Sequence, residues 1–125
     1  MDNAAIFLFQ GKNIIILRKR EGKYAKKWTG PGGGIDWFET PKKAAIRELE
    51  EETGINYYSL DKKEIAILQQ ERTIIYVVKV KKIPDIKLSP EHDISKIINI
   101  KDIKKYNLTD YFEEVLDYII ENNLM

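Results

Sequence analysis

The stretch from Thr40 to Gly54 leaves its backbone little choice. Thr40 can accept a hydrogen bond from the turn that follows it. Pro41 already holds the φ of a first helical residue, and Gly54 can adopt the left-handed conformation that ends a helix. Ala, Glu, Leu and Arg fill the interval, so the sequence predicts a helix over Pro41–Thr53. Just ahead of it, Trp28 to Asp36 is too rich in glycine to be helical. Apolar runs Ala4–Phe9 and Ile14–Leu17 flank a Gly11-Lys12-Asn13 turn and read as a hairpin. Glu64–Gln70 and Thr73–Val80 read as a second hairpin, with Lys79, Lys81 and Lys82 guarding an edge or a strand end. Ile97–Ile100 is a short strand candidate. Thr109 can cap a last helix, in which Phe112, Val115, Leu116 and Ile119 recur at helical spacing. Strands before, between and after two helices predict one layered α/β domain over residues 1–125.

Composition removes several classes of function. There is no Cys and a single His, His92. Disulfide frameworks, thiolate zinc sites, cysteine nucleophiles and multi-histidine metal sites are therefore excluded. No apolar run approaches the ~20 residues of a membrane span, and Met1-Asp2-Asn3 lacks the basic start of a secretory signal. A soluble, cytoplasmic protein is expected. The net charge of +1 gives no long-range attraction to nucleic acid, so stable nucleic-acid binding is not expected. Charge is nonetheless segregated. Seven bases between Lys12 and Lys27 face one acid there, and five Glu lie between Glu39 and Glu52. A basic stretch beside an acidic one suits a phosphorylated ligand bridged by metal ions; a solvated surface suits it too.

Helical geometry sharpens the acidic part. With Glu48 at 0°, Glu51 falls at about 300° and Glu52 at about 40°, so three carboxylates share one arc. Like charges at these spacings repel and add nothing to a helix. Divalent cations with oxygen ligands would relieve them, and hard Mg²⁺ or Mn²⁺ fits carboxylate chemistry. Ala44 and Ala45 flank the arc and would let a backbone or ligand come close. Ile46, Leu49 and Thr53 form the core-facing stripe. Arg47 stands one turn before Glu51 and can neutralise or orient it. In the preceding loop, Pro31-Gly32-Gly33-Gly34 can offer N–H donors to phosphate oxygens or a carbonyl to a metal.

Gly33, then five residues, Glu39, then seven residues, then Arg47-Glu48-Leu49-Glu50-Glu51-Glu52-Thr53-Gly54-Ile55 resembles a complete Nudix box. The resemblance implies an α/β/α sandwich with a central mixed β-sheet and a Nudix hydrolase activity. Such enzymes cleave a nucleoside diphosphate linked to a group X, by attack of water on phosphorus with Mg²⁺ or Mn²⁺. By the same resemblance, Glu48, Glu51 and Glu52 would hold the metal, with the Gly32 carbonyl as a further ligand. Glu39 would act through water or from behind the ligands, and Arg47 would orient Glu51. Ser89-Pro90-Glu91-His92-Asp93 looks like the loop that supplies an extra acidic ligand or base. Glu91 is the first candidate, and which of the three last residues points inward stays open. Where the family usually has Gly before Glu39, this chain has Phe38, preceded by Trp37. Either ring could cover a base or pack on a neighbouring chain. Trp28 could stack on a nucleobase or cover the core. Arg18, Arg20, Lys26, Lys27, Gly33 and Gly34 are candidate contacts to the substrate.

The compact length and short N-terminus resemble the nucleoside-triphosphate branch, whose members include 8-oxo-dGTP sanitising enzymes. The expected products are a nucleoside monophosphate and pyrophosphate. Nucleotide sugars such as ADP-ribose, dinucleoside polyphosphates and RNA 5′ ends are the alternatives. Tyr76 keeps the dinucleoside polyphosphates open, whereas no Pro in Ile65–Arg72 supports the ADP-ribose branch. A non-catalytic nucleotide-sensing Nudix module is the alternative from another class. Oligomeric state is not legible, and a homodimer stays open.

Overall fold

The computed structural model describes residues 1–125. In chain order the elements are β1 (Asn3–Gln10), β2 (Asn13–Lys19), β3 (Trp28–Thr29), β4 (Gly32–Gly34), α1 (Pro41–Thr53), β5 (Lys62–Gln70), β6 (Thr73–Val80), β7 (His92–Asn99) and α2 (Asp110–Glu121). Short 3-10 turns precede β5 and follow β7.

The first hairpin is a split one. β1 and β2 pair only beside their turn, at Phe9–Ile14 and Gln10–Asn13. Beyond that they diverge, and the glycine-rich segment fills the opening. β4 lies antiparallel to β1, with Ala4 opposite Gly33 and Ala5 opposite Gly32. β3 lies antiparallel to β2. On its other side β1 runs parallel to β6, from Asn3–Thr73 to Phe9–Lys79. β5 then pairs antiparallel with β6 at the sheet edge, and β7 pairs antiparallel with the outer side of β2. The sheet is mixed, as expected, and the glycine-rich segment sits near its centre.

Alternation along the strands builds two cores. Ala4, Ile6, Leu8, Ile15, Leu17 and Val78 pack with Ala44, Ala45 and Leu49 of α1. Ala5, Phe7, Phe9, Ile14, Ile16 and Val77 pack with Phe112, Val115, Leu116 and Ile119 of α2. Strands covered on both faces need unbroken apolar runs, which explains the sequences of β1 and β2. Full burial of each Val, Leu, Ile or Phe among them is worth about 2 kcal/mol. The result is the α/β/α sandwich.

α1 has the bounds and caps its sequence predicts. The Thr40 Oγ1 accepts from the Lys43 N–H at 3.2 Å, and Gly54 ends the helix at φ +74°. Several local expectations are corrected. Ala44 and Ala45 are fully buried in the α1-side core, so their small size serves packing against β1, not approach by a ligand. Of the two places open to Lys79, Lys81 and Lys82, the structure gives the strand end, since β6 ends at Val80 and has neighbours on both sides. The strand predicted at Ile97–Ile100 begins at His92 and ends at Asn99, and pairs with β2 along its whole length. A strand paired that far draws in polar residues that local propensity leaves in a loop. Thr109 occupies the N-cap of α2 without a capping hydrogen bond.

The β4–α1 loop carries one costly residue. Phe38 has φ +64° and is fully exposed. A left-handed conformation costs a side chain with a Cβ about 1 kcal/mol or more, and this ring recovers nothing by burial. Phe38→Gly is therefore expected to hold or raise the melting temperature, the strain relieved slightly exceeding the added entropy of the unfolded chain. A fall of more than about 3 °C, roughly 1 kcal/mol for a chain of this size, would show that the ring makes a stabilising contact in solution.

Candidate active site

The opening of the split hairpin faces the N-terminal strand β1 on one side and α1 on the other, and the carboxylates of α1 are graded by burial across it. Glu51 is 56% exposed at its side chain and Glu48 12%. Glu52 is 3% exposed. Two glycines make that burial feasible. A Cβ on Gly33 would lie 2.5 Å from the Glu48 carboxyl carbon, and one on Gly32 would lie 2.7 Å from the Ala5 Cβ. Only glycine lets β4 press against β1 on one face and receive the Glu48 carboxylate on the other. The Gly32 N–H donates to Glu52 Oε1 at 2.7 Å.

Arg47 organises the other carboxylates. Its Nε and Nη2 donate to the two oxygens of Glu39 at 2.9 Å each. Its Nη1 donates to Glu48 at 2.9 Å and reaches Glu51 at 3.3 Å, and its Nη2 also donates to the Gly34 carbonyl at 2.9 Å. Glu39 in turn accepts from the Asp36 N–H at 3.0 Å, which fixes the loop bearing Trp37 and Phe38. The pairing with Arg47, aided by that N–H, holds the Glu39 carboxyl down to about 2. Burial acts oppositely on its neighbours: it raises the Glu48 carboxyl and pushes Glu52 up to about 8. Arg47 pairs with Glu39, Glu48 and Glu51 and not with Glu52.

The loop after β6 resolves into three different environments. Asp93 forms a two-bonded pair with Arg18, at 2.8 and 2.9 Å. Glu91 is exposed and makes no ion pair, while its carbonyl accepts from the Arg20 N–H. His92 is buried, 1% exposed, with Nδ1 lying 3.8 Å from Glu52 Oε2. It stands opposite Lys19, where the β2–β7 register shifts and Asp93 is the extra residue on β7. Such bulges re-aim side chains. Glu52, Glu91 and His92 bring one ligand atom each within 4.8 Å of one another and can hold a metal ion.

A cavity of about 280 Å³ opens beside this cluster. Its walls include Gly32, Gly33, Glu52 and His92, together with Lys19, Tyr24, Thr109 and Asp110. The far wall comes from the start of α2. Trp28 holds that wall in place, its N–H donating to the Asn107 carbonyl and its carbonyl accepting from the Thr109 N–H. The indole itself is buried edge-on against Tyr106, 5.4 Å between centroids, outside the cavity walls. The structure thus brings together Gly32, Gly33, Glu39, Arg47, Glu48, Glu51, Glu52 and Glu91. Gly34 contributes its carbonyl to Arg47, and Arg18 is engaged by Asp93. Sequence reasoning kept His92 open beside Glu91 and Asp93, and left Lys19, Tyr24, Thr109 and Asp110 out of the site. Nothing in local spacing marks these four, because they come from β2, the loop that follows it and the start of α2.

The NUDIX domain family model matches residues 1–119, and the chain belongs to that family. Among curated relatives, the RNA pyrophosphohydrolase of Brucella anthropi is 43% identical over 58 residues, which is 46% of this chain and 33% of that protein. That of Hamiltonella defensa is 39% identical over 66 residues, 53% of this chain and 36% of that protein. The chain thus spans about a third of the length of the curated relatives it matches. Among solved structures, a Caenorhabditis elegans Ap4A hydrolase superposes with a TM-score of 0.77 at 23% identity, covering 95% of this chain and 96% of that one. The MutT protein of Methanosarcina mazei superposes with a TM-score of 0.75 at 24% identity, covering 98% and 94%. These likenesses establish the Nudix fold. No helix of the protein is long and apolar enough to cross a membrane.

Proposed function

We propose that this protein is a divalent-cation-dependent pyrophosphohydrolase that cleaves a nucleoside 5′-triphosphate to the monophosphate and pyrophosphate. The observation that carries the reading is the contiguity of the Glu48–Glu51–Glu52 cluster with a nucleoside-sized cavity, across the backbone of Gly32 and Gly33. Glu48, Glu51 and Glu52 would hold Mg²⁺ or Mn²⁺, with Gly32 and Glu91 at its border. The fit rests on Glu52, whose burial without a cationic partner raises its proton affinity. When bound, such a cation neutralises pyrophosphate charge and polarises the phosphoryl oxygens.

The rest of the work falls to the chain itself. Water adds to phosphorus and the bond to the pyrophosphate oxygen breaks, a step that needs positioning more than covalent help. A carboxylate of this cluster, or Glu91 of the downstream loop, would take the proton of that water. Arg47 holds Glu39, Glu48 and Glu51 in place. The cavity wall of Lys19, Tyr24 and Asp110 would receive the nucleoside. Tyr76, which left dinucleoside polyphosphates open, packs against the α1-side core.

A second reading, the 5′-triphosphate end of RNA, is favoured by the exposed rings of Trp37 and Phe38, 90% and 100% accessible beside Glu39. Unpaired bases stack on such rings, and the matched curated relatives carry the name RNA pyrophosphohydrolase. The test is phosphate and pyrophosphate release from dNTPs, 8-oxo-dGTP, ADP-ribose, diadenosine polyphosphates and 5′-triphosphorylated RNA, with Mg²⁺ or Mn²⁺. Nucleoside triphosphates are expected to release pyrophosphate, and Glu51→Gln to lose at least about a hundredfold in kcat by removal of an exposed ligand. A tenfold or greater preference for RNA would favour the second reading. Binding without turnover of any substrate would leave a nucleotide-sensing module.

A further inference from the structure

Three buried side-chain polar atoms lack a hydrogen-bond partner, Ser89 Oγ, Thr109 Oγ1 and His92 Nδ1, and of these the imidazole of His92 is the one that faces an α1 carboxylate. It is 1% exposed, and its Nδ1 is buried with no hydrogen-bond partner. Leaving such an atom unpaired costs the desolvation of a polar group with no bond in return, and native proteins seldom tolerate it without a use for the atom. The atom is aimed at Glu52 Oε2, at 3.8 Å, too far for a hydrogen bond. Two ligands of one small divalent ion, each about 2.1 Å from it, can stand up to about 4.2 Å apart. The 3.8 Å gap therefore suits an intervening cation better than direct contact. Glu91, the adjoining residue, is exposed and free to swing its carboxylate toward the same point, and the three ligand atoms already lie within 4.8 Å of one another. Asp93 is the extra residue of β7 where its register with β2 shifts, between the pairs Arg18–Ile94 and Lys19–His92; it pairs with Arg18, while the imidazole of His92 is buried.

We infer that His92 is itself a metal ligand, completing with Glu52 and Glu91 a mixed nitrogen–oxygen cation site at the inner edge of the carboxylate cluster. The inference rests on the cation-dependent reading above and goes beyond it by naming the donor set. An imidazole nitrogen among carboxylates shifts preference from Mg²⁺ toward Mn²⁺ and Co²⁺, because affinity for nitrogen donors rises along that series. The site would therefore discriminate between ions that an all-carboxylate cluster treats more alike.

His92 is the sole histidine of the chain, so an imidazole signal has one source. The experiment is electron spin-echo envelope modulation of Mn²⁺ bound to the full-length protein, made once with natural-abundance histidine and once with ¹⁵N-histidine. A directly coupled ¹⁴N modulation that changes to the ¹⁵N pattern on labelling is the expected result. Isothermal titration with Mn²⁺ and Mg²⁺ should show the Mn²⁺ preference shrinking by at least about tenfold in His92→Gln. The labelling experiment needs no variant, so a misfolded His92→Gln would not decide the matter. Mn²⁺ bound tightly with no histidine coupling would overturn this inference and leave the pyrophosphohydrolase reading standing. Failure of Mn²⁺ to bind at all would overturn both.

Discussion

Glu52→Gln is expected to lower kcat by about a thousandfold or more while making the metal-free protein more stable at alkaline pH. The loss follows from the cation: the charge stabilisation it supplies is worth several kcal/mol, and each 1.36 kcal/mol is about tenfold in rate. The gain follows from burial. The Glu52 carboxyl titrates near 4.5 in the unfolded chain and at about 8 in the folded one. Between those values the native state keeps a proton that the unfolded state has released, so stability falls as pH rises through the window. His92 works the other way below its ordinary value of 6.5, because burial lowers its proton affinity in the folded state. The fall should therefore be steepest between about 6.5 and 8. A glutamine has no charge to desolvate. Its carbonyl can still accept from the Gly32 N–H, and its amide can donate toward the unpaired Nδ1 of His92. A gain of about 1–2 kcal/mol, on the order of 5 °C in Tm, is expected in EDTA at pH 8.5. Thermal melts of both proteins with and without Mg²⁺ from pH 5 to 9 check this. A wild-type melting temperature that stays level or climbs from pH 6.5 to 8 without metal would refute the account.

Arg47→Lys should produce the largest loss of stability among substitutions at the site. The guanidinium bridges Glu39, Glu48, Glu51 and the Gly34 carbonyl. An ammonium has three donors on one atom and cannot span that set. Bonds to charged groups contribute about 1.5–3 kcal/mol each, so after the contacts lysine can still make, a net cost of about 2 kcal/mol is expected, roughly 8 °C in Tm. The released carboxylates then repel one another, and the loop that Glu39 ties down loosens. Mg²⁺ should restore more stability to this variant than to the wild type, because it neutralises the same charges. Denaturant unfolding with and without Mg²⁺ measures both effects. A variant melting within about 2 °C of the wild type would show that Arg47 only decorates the helix surface.

Much of this molecule is legible locally. α1 has the bounds that Thr40, Pro41 and Gly54 imply, since capping and backbone sterics act within a few residues. The spacing of Glu48, Glu51 and Glu52 places them on one arc for the same reason, and the box that contains them identifies the family. The unbroken apolar runs of β1 and β2 suit strands buried on both faces. What periodicity could not convey is which strand meets which. The hairpin divides after two residue pairs because β3 and β4 compete for its inner edges, and that competition is between segments distant in sequence. His92 reads as loop because its strand is held by β2, some seventy positions earlier. Glu48, Glu51 and Glu52 look equivalent on a helical wheel, yet packing against β4 buries Glu52 and leaves Glu51 in solvent. The sequence by itself determined the helix, the carboxylate cluster and the family. Only the tertiary structure decided the cavity, the reach of Arg47 and the inward turn of His92, because each depends on long-range packing that short-range sterics cannot encode.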